Sequence, residues 1–173
     1  MDNKQSKNNQ NRGRRRHNNR YQREESDLIE TIIQVNRVSK KTKGGNQIGF
    51  SVLTVVGDGK GKVGVGLGKG PNVASSIKKG FAIAKRNMIE VPIVNTTIPH
   101  QLKHKYGAAH IMIKPAAPGT GLIVGGVMRA VMEAAGIQNV VGKILGTNNK
   151  INNVYCTYQA LGLLKPADAK RVQ

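Results

Sequence analysis

Between Gly57 and Gly70 the chain reads GDGKGKVGVGLGKG, with Gly64, Gly66 and Gly68 alternating with Val63, Val65 and Leu67. A period of two is the pattern of a strand, because successive side chains of an extended chain point to opposite faces. Here one face is branched and apolar while the other is bare. A strand with a bare face lets another body approach its backbone closely. Two occupants fit that face: a large partner from outside, or a helix of the same domain. Just ahead of it, GDGKG supplies glycines able to take positive φ, which is hairpin chemistry. QIGFSVLTVV alternates as well, with Phe50, Val52, Thr54 and Val56 on one face and Ser51, Leu53 and Val55 on the other. LIETIIQVNRVSK is rich in β-branched residues and reads as a further strand.

The same run matches G-x-G-x-x-G from Gly59 to Gly64. A dinucleotide loop must open straight into a helix whose N-terminus holds the pyrophosphate, with an acidic residue about twenty positions on. Here the following residues alternate as a strand, and Lys85 and Arg86 stand where the acid belongs. The P-loop pattern also fails, because Gly64 to Lys69 is one spacer short and Gly70 replaces the magnesium-binding hydroxyl. A nucleotide-dependent kinase is therefore a poor reading of this run.

Pro71 suits a first helical turn. Val73, Ile77, Phe81, Ala84 and Met88 follow at three- and four-residue steps, with Lys78, Lys79, Lys85 and Arg86 off that stripe. Pro92 ends the unit. In a second unit NTTIPHQ and AAHIMIKP read as strands separated by a basic loop, LKHKYG. GLIVGGVMRAVMEAAG reads as a helix closed by Gly136, and NVVGKIL as a strand. TNNKINNVYCTYQALGLL reads as a helix capped by Thr and Asn, with Ile151, Val154, Tyr155, Tyr158 and Leu161 along one face. The expected fold class is α+β in two small domains, residues 27–92 as β-β-β-α and residues 93–164 as β-α-β-α, with a loose tail at 165–173.

Lys and Arg number 28 against 9 Asp and Glu in 173 residues, a formal net charge of +19. Such an excess repels itself unless a polyanion balances it. Nucleic acid is the expected partner, ahead of an anionic membrane surface. Apolar runs such as Gly121 to Val127 fall far short of the roughly 20 residues that cross a bilayer, so no membrane anchor is expected. Residues 1–26, including Arg14, Arg15 and Arg16, read as a disordered basic arm that lies on RNA. No secretory segment follows Met1, and a cytoplasmic location is expected. Cys156 stands alone and reads as a buried small hydrophobe. His100, His104 and His110 lie close in sequence, but no Cys, Asp or Glu stands near to complete a metal site. Glu90 and Glu133 fall in different units, so no carboxylate pair forms for acid–base work. Neither an enzyme nor a cofactor is expected. Phosphate contact is expected from Lys60, Lys62 and Lys69, the last just ahead of a helix N-terminus. Arg37, Lys85 and Arg86 extend that RNA-binding set.

VNRVSKKTKGG, LTVVGDGKGKVGVGLGKG, AKRNMI, KPAAPGTGLIVGGVMRAVMEAAGI and NNVYCTYQAL together closely resemble the bacterial ribosomal protein S-five family of the small subunit. The resemblance runs from about Asp27 to Leu164, with the five motifs in the family's order. It implies an N-terminal domain similar to double-stranded-RNA-binding folds. It also implies a C-terminal domain of a fold shared with some small-molecule kinases, which does not carry their activity. Carried over by motif, Ser39, Lys40, Lys41, Thr42, Lys43, Gly44, Gly45 and Asn46 form the family's basic loop. The resemblance places that loop on rRNA at the neck of the small subunit, beside the spectinomycin site. Gly119, Thr120, Gly121 and Arg129 match the segment that faces ribosomal protein S-four, where changes alter decoding accuracy. Asn46 and Tyr155 stand where the family commonly has basic residues, and Pro71 with Val73 and Ala74 replaces a usual Val-Pro pair. The function implied is a structural constituent of the small ribosomal subunit, bound to its rRNA near the neck and the messenger RNA entry. Proteins S-four and S-eight are its implied neighbours. A free-standing RNA chaperone or translational regulator is the alternative.

Overall fold

The computed structural model describes residues 28–166. The arm expected at 1–26, and all but the first two residues of the expected tail, lie outside the described residues. In chain order the elements are β1 (Ile29–Thr42), β2 (Gly45–Gly57), β3 (Lys62–Gly70), α1 (Val73–Arg86), β4 (Met88–Glu90), β5 (Leu102–Tyr106), β6 (Ala109–Pro115), β7 (Leu122–Ile123), α2 (Gly126–Ala135), β8 (Val140–Ile144) and α3 (Lys150–Gly162). They build two four-stranded sheets, ordered β1-β2-β3-β4 and β5-β6-β8-β7. All pairings are antiparallel except β7 with β8. The chain is a two-domain α+β protein.

The glycine face of β3 is occupied by the domain's own helix. A Cβ on Gly64, Gly66 or Gly68 would fall inside the carbonyl of Ala84, Gly80 or Ser76 respectively, all on α1. The helix meets the bare strand with its own small residues, since Ser76, Gly80 and Ala84 are its buried positions. Two strand residues advance about 6.7 Å and four helical residues about 6.0 Å, so three bare positions match three small ones in step. The buried line of α1 is therefore not the bulky stripe read from the sequence. Val73, Ile77 and Phe81 are half-buried beside it, and Met88 has left the helix for β4. Buried Thr54 donates to Gly66 O at 3.1 Å, and Ser76 Oγ donates to Phe50 O at 3.1 Å. Pro71 sits one residue ahead of the N-cap Asn72, not in the first turn, because Asn72 is still extended at φ −120° and ψ 151°.

The opposite face of the first sheet is covered by the second domain. Leu53, Val55, Val63 and Val65 share one apolar core with Met128, Val131 and Met132 of α2 and Val154 and Leu161 of α3. The GDGKG hairpin seals this joint. Asp58 Oδ1 accepts from the amides of Lys60 and Lys62, both at 2.8 Å, and sets the turn. Gly59 N then donates to Ala134 O at 3.0 Å and Gly61 N to Ala135 O at 2.9 Å. Those carbonyls end α2, where the last turn of a helix lacks intrahelical donors. Gly136, at φ 83°, terminates α2 as the sequence implies and brings its own backbone against Gly59. Tyr158 Oη adds a bond to Asn87 O at 2.8 Å across the domains.

Three sequence expectations in the second domain are corrected. LKHKYG is not a loop: it is strand β5, in which exposed Lys103 and Lys105 alternate with more buried Leu102 and His104. NTTIPHQ is not a strand but a turn closed by a single Val94–Thr97 bridge, with Asn95 at φ 47° and Thr96 at φ 70°. Leu122 and Ile123 pair with β8, so α2 begins only at Gly126, with Gly125 as its N-cap, two poor helix formers in succession. Asn149 caps α3 as expected, its side chain accepting from Ile151 N at 3.0 Å. Cys156 is fully buried, and its thiol lies 3.5 Å from His104 O.

Candidate nucleic-acid interface

β1 and β2 outrun the rest of their sheet. Their pairing continues to Thr42–Gly45, whereas β3 stops with Gly70 opposite Phe50. The five cross-strand pairs from Val38–Gly49 to Thr42–Gly45 form a free two-stranded ribbon reaching about 17 Å beyond the sheet. The segment carried over as a loop is therefore mostly strand. Ser39, Lys40, Lys41 and Thr42 end β1, Gly45 and Asn46 begin β2, and Lys43 and Gly44 alone make the turn. Gly45 takes φ 128°, and Thr42 Oγ1 donates to Gly45 O at 2.7 Å to close the tip.

The pleat divides the cations between both faces of the ribbon. Lys40 shares a face with Val38 and Gln47, while Lys41 shares the other with Arg37, Ser39, Ile48 and Asn46. All of these side chains are exposed, and no acid lies between Arg37 and Gly49. Val38 and Ile48 remain 44% and 43% exposed, so nothing in the described chain covers the ribbon. What it offers is a slender, uncompensated positive arm with polar and apolar stems, suited to phosphate-lined grooves.

The remaining candidates do not all join it. Lys69 is exposed near the ribbon's base, where it pairs with Ser51. Lys60 and Lys62 are exposed at the far end of β3, and about 23 Å of strand separates Lys62 from Lys69. Lys62 also stands opposite Glu90 on β4. Lys85 is half-buried and forms an ion pair with Glu30 at 3.2 Å. Arg86 is exposed in the last turn of α1, where a cation complements the helix dipole. The sequence-derived RNA set thus splits into a ribbon group and a group at the domain joint.

Gly119, Thr120, Gly121 and Arg129 do come together. Gly119 and Gly121 take φ 88° and 76°, and both donate their amides to Asn139 Oδ1, at 3.1 and 3.0 Å. Asn139 is buried, and its Nδ2 donates to Thr96 Oγ1 at 2.8 Å. Thr97 Oγ1 in turn donates to Asn139 O at 2.5 Å. One amide side chain therefore ties the glycine loop to the strained turn at Asn95 and Thr96. Arg129 Nη2 donates to Leu122 O at 3.0 Å beside it. Sequence reasoning missed Asn139, which stands out only as a polar residue entering an apolar strand.

Residues 28–92 match the family model "Ribosomal protein S5, N-terminal domain", and residues 104–171 match "Ribosomal protein S5, C-terminal domain". The chain belongs to the ribosomal protein S5 family. It is 50% identical over 135 residues to the small ribosomal subunit protein uS5 of Chloroflexus aurantiacus, covering 78% of this chain and 76% of that one. The uS5 protein of Syntrophobacter fumaroxidans is 49% identical over 138 residues, covering 80% and 83%. That of Pseudomonas paraeruginosa is 47% identical over 151 residues, covering 87% and 91%. The S5 family is one of structural ribosomal proteins, not of enzymes.

The two positions singled out by the resemblance, Asn46 and Tyr155, sit in different settings. Asn46 is exposed on the ribbon beside Lys41, a hydrogen-bonding group without charge. Tyr155 is half-buried with its ring centroid 6.0 Å from that of Tyr106, and burial pushes its phenol pKa up. It packs within the domain. His104 and His110 are divided by the second sheet: His104 lies on the helix side, 3.2 Å from Gln159 Oε1, while His110 lies on the opposite side. No group of three or more His, Cys, Asp or Glu able to hold a metal occurs among the described residues. No described helix is long and apolar enough to cross a membrane.

Proposed function

We propose that this chain is a structural constituent of the small ribosomal subunit in the cytoplasm, gripping its rRNA near the neck through the β1–β2 ribbon. In this reading the chain lies near the messenger RNA entry, and the loop of Gly119, Thr120 and Gly121 with Arg129 meets ribosomal protein S-four. Protein S-eight is a further neighbour, and residues 1–26 add a basic arm. The observation that carries the reading is the free ribbon with Lys40, Lys41 and Lys43, with Arg37 at its base and no acid between them. The names of the uS5 relatives support its place in the small subunit. An effect on decoding accuracy follows if the S-four and neck contacts differ between two states of the subunit, since only differential contacts shift such an equilibrium.

The test replaces Lys40, Lys41 and Lys43 with Ala together and follows binding to small-subunit rRNA against salt. Each phosphate released by the ribbon lowers the log–log salt slope by about 0.9 on duplex and about 0.7 on single strands. An unchanged slope removes the ribbon from the RNA surface. For the S-four contact, Thr120→Arg adds exposed bulk without the backbone strain that Gly121→Arg would carry at φ 76°. Normal fidelity in cells relying on Thr120→Arg would count against that contact.

A further inference from the structure

The second sheet carries α2 and α3 on one face only. Leu102, His104, Ala109, Ile111, Ile113 and Val140 lie on the helix side, and the residues between them point the other way. The registers set those outward residues in rows: Lys105 beside His110, then Lys103, Met112 and Lys143, then Lys114, Val141 and Ile123. Strands are about 4.8 Å apart and alternate residues about 6.7 Å, so the four lysines rise from a patch of about 10 by 13 Å. All four are exposed. The face holds no acid, and among the described residues beyond Pro92 the one carboxylate side chain is Glu133, on α2. The lysine charge is therefore not balanced from within the domain.

The chemistry of the face narrows its partner. Sheets that read single-stranded RNA stack its bases on aromatic rings. This face has no Phe, Tyr or Trp, because Tyr106 lies on the helix side against Tyr155; its one ring is the half-buried imidazole of His110, too few for a stacking platform. Nor has it arginine, whose planar fork would recognise a base edge or a paired phosphate geometry. What remains is a flat array of point charges, matched to the phosphate backbone of base-paired RNA. We propose that the open face of the β5-β6-β8-β7 sheet is a second RNA-backbone surface, seated on duplex RNA and independent of the ribbon. It rests on the reading that RNA is the partner of this chain. The competing occupant is an acidic protein, toward which Ile123, 56% exposed, and Val141, 38% exposed, would add apolar contact.

The test uses the full chain with Lys103, Lys105, Lys114 and Lys143 changed together to Gln, beside the ribbon triple variant and the combination of both. Binding to a plain RNA duplex and to small-subunit rRNA is followed against salt. The quadruple variant should lower the duplex slope by about 0.9 for each phosphate it no longer touches, and its effect should add to that of the ribbon. A normal slope in the quadruple variant, with the ribbon variant still impaired, overturns this surface and leaves the ribbon reading intact. Normal slopes in both overturn the two together. Retained RNA slope with lost binding to polyglutamate assigns the face to an acidic protein, against the proposal. Lysine acetylation of the unaltered chain avoids any question of folding. Duplex RNA should shield Lys103 and Lys143, and unshielded lysines in the bound chain reject the surface.

Discussion

Gly66→Ala places one methyl group at the centre of the contact between β3 and α1. The new Cβ would lie 2.8 Å from Ala84 N and nearer still to Gly80 O, where ordinary contact begins at 3.4 Å. Both neighbours are main-chain atoms, so no side-chain rotation relieves the overlap. The helix must lift from the strand, which stretches the 3.1 Å bond from Ser76 Oγ to Phe50 O. Overpacking of this kind costs about 1–3 kcal/mol and a weakened buried hydrogen bond about 1 kcal/mol more. Alanine returns roughly 0.4–1 kcal/mol by restricting the unfolded chain. The net loss is about 1–4 kcal/mol, or a fall in Tm of roughly 3–12 °C for a chain of this size. Gly126→Ala is the control, because its Cβ meets nothing within 4 Å and it lies outside the ribbon, at the start of α2. Thermal unfolding by circular dichroism should separate the two variants, and RNA affinity measured well below both transitions should be equal. An unchanged Tm for Gly66→Ala, or lost RNA binding at full stability, would refute the helix-packing account of the glycine face.

Gly136→Ala should be harsher still, since φ is 83° and the Cβ is driven into the carbonyl of Gly59. A loss of at least about 3 kcal/mol is expected in urea unfolding, and a midpoint equal to that of the parent would contradict it. Asn139→Ala removes the acceptor shared by the amides of Gly119 and Gly121. Hydrogen exchange at those two amides should quicken roughly tenfold or more, as for a buried bond worth about 1.4 kcal/mol, and unaltered exchange would show that the loop stands without it. Burial pushes the Cys156 thiol up, so the folded chain holds that proton more tightly than the unfolded one. Its contribution is complete below the free-thiol value of about 8.5 and is lost as pH rises through the higher folded value, with a slope of at most about 1.4 kcal/mol per pH unit. Cys156→Ala should flatten the stability curve there, while Tyr155 and Tyr158, also raised by burial, still bring a decline at higher pH. Parallel curves for the two chains would exclude the thiol as the cause.

Much of the fold was legible because side-chain period survives in β2, β3, β6, β8 and α3. β5 was hidden because Lys103, His104 and Lys105 are all hydrophilic, so a half-buried histidine looks like its exposed neighbours. β7, at two residues, is too short to show any period. The bare face of β3 announced a close neighbour but not its identity, since missing side chains constrain distance alone. Ser76, Gly80 and Ala84 at four-residue spacing carried the answer, yet a search for bulky apolar stripes passes over them. The ribbon residues were found by motif, but their strand character was obscured by a run of Ser, Lys and Thr without alternation. Charge singled out Lys60 and Lys62, but charge alone says nothing of how far they stand from the ribbon. Asn139 acts through bonds to residues 18 to 43 positions away, and no local pattern records such reach.

The hairpin joint has a bearing on how this molecule can vary. Its bonds run from the amides of Gly59 and Gly61 to the carbonyls of Ala134 and Ala135, groups that every residue but proline possesses. Exchanging Lys60 or Lys62 leaves the hinge angle untouched, whereas bulk at the glycines springs it open. The chain is in effect a caliper with a welded pivot, and the span between its jaws is set by peptide geometry, not by tuning one residue at a time.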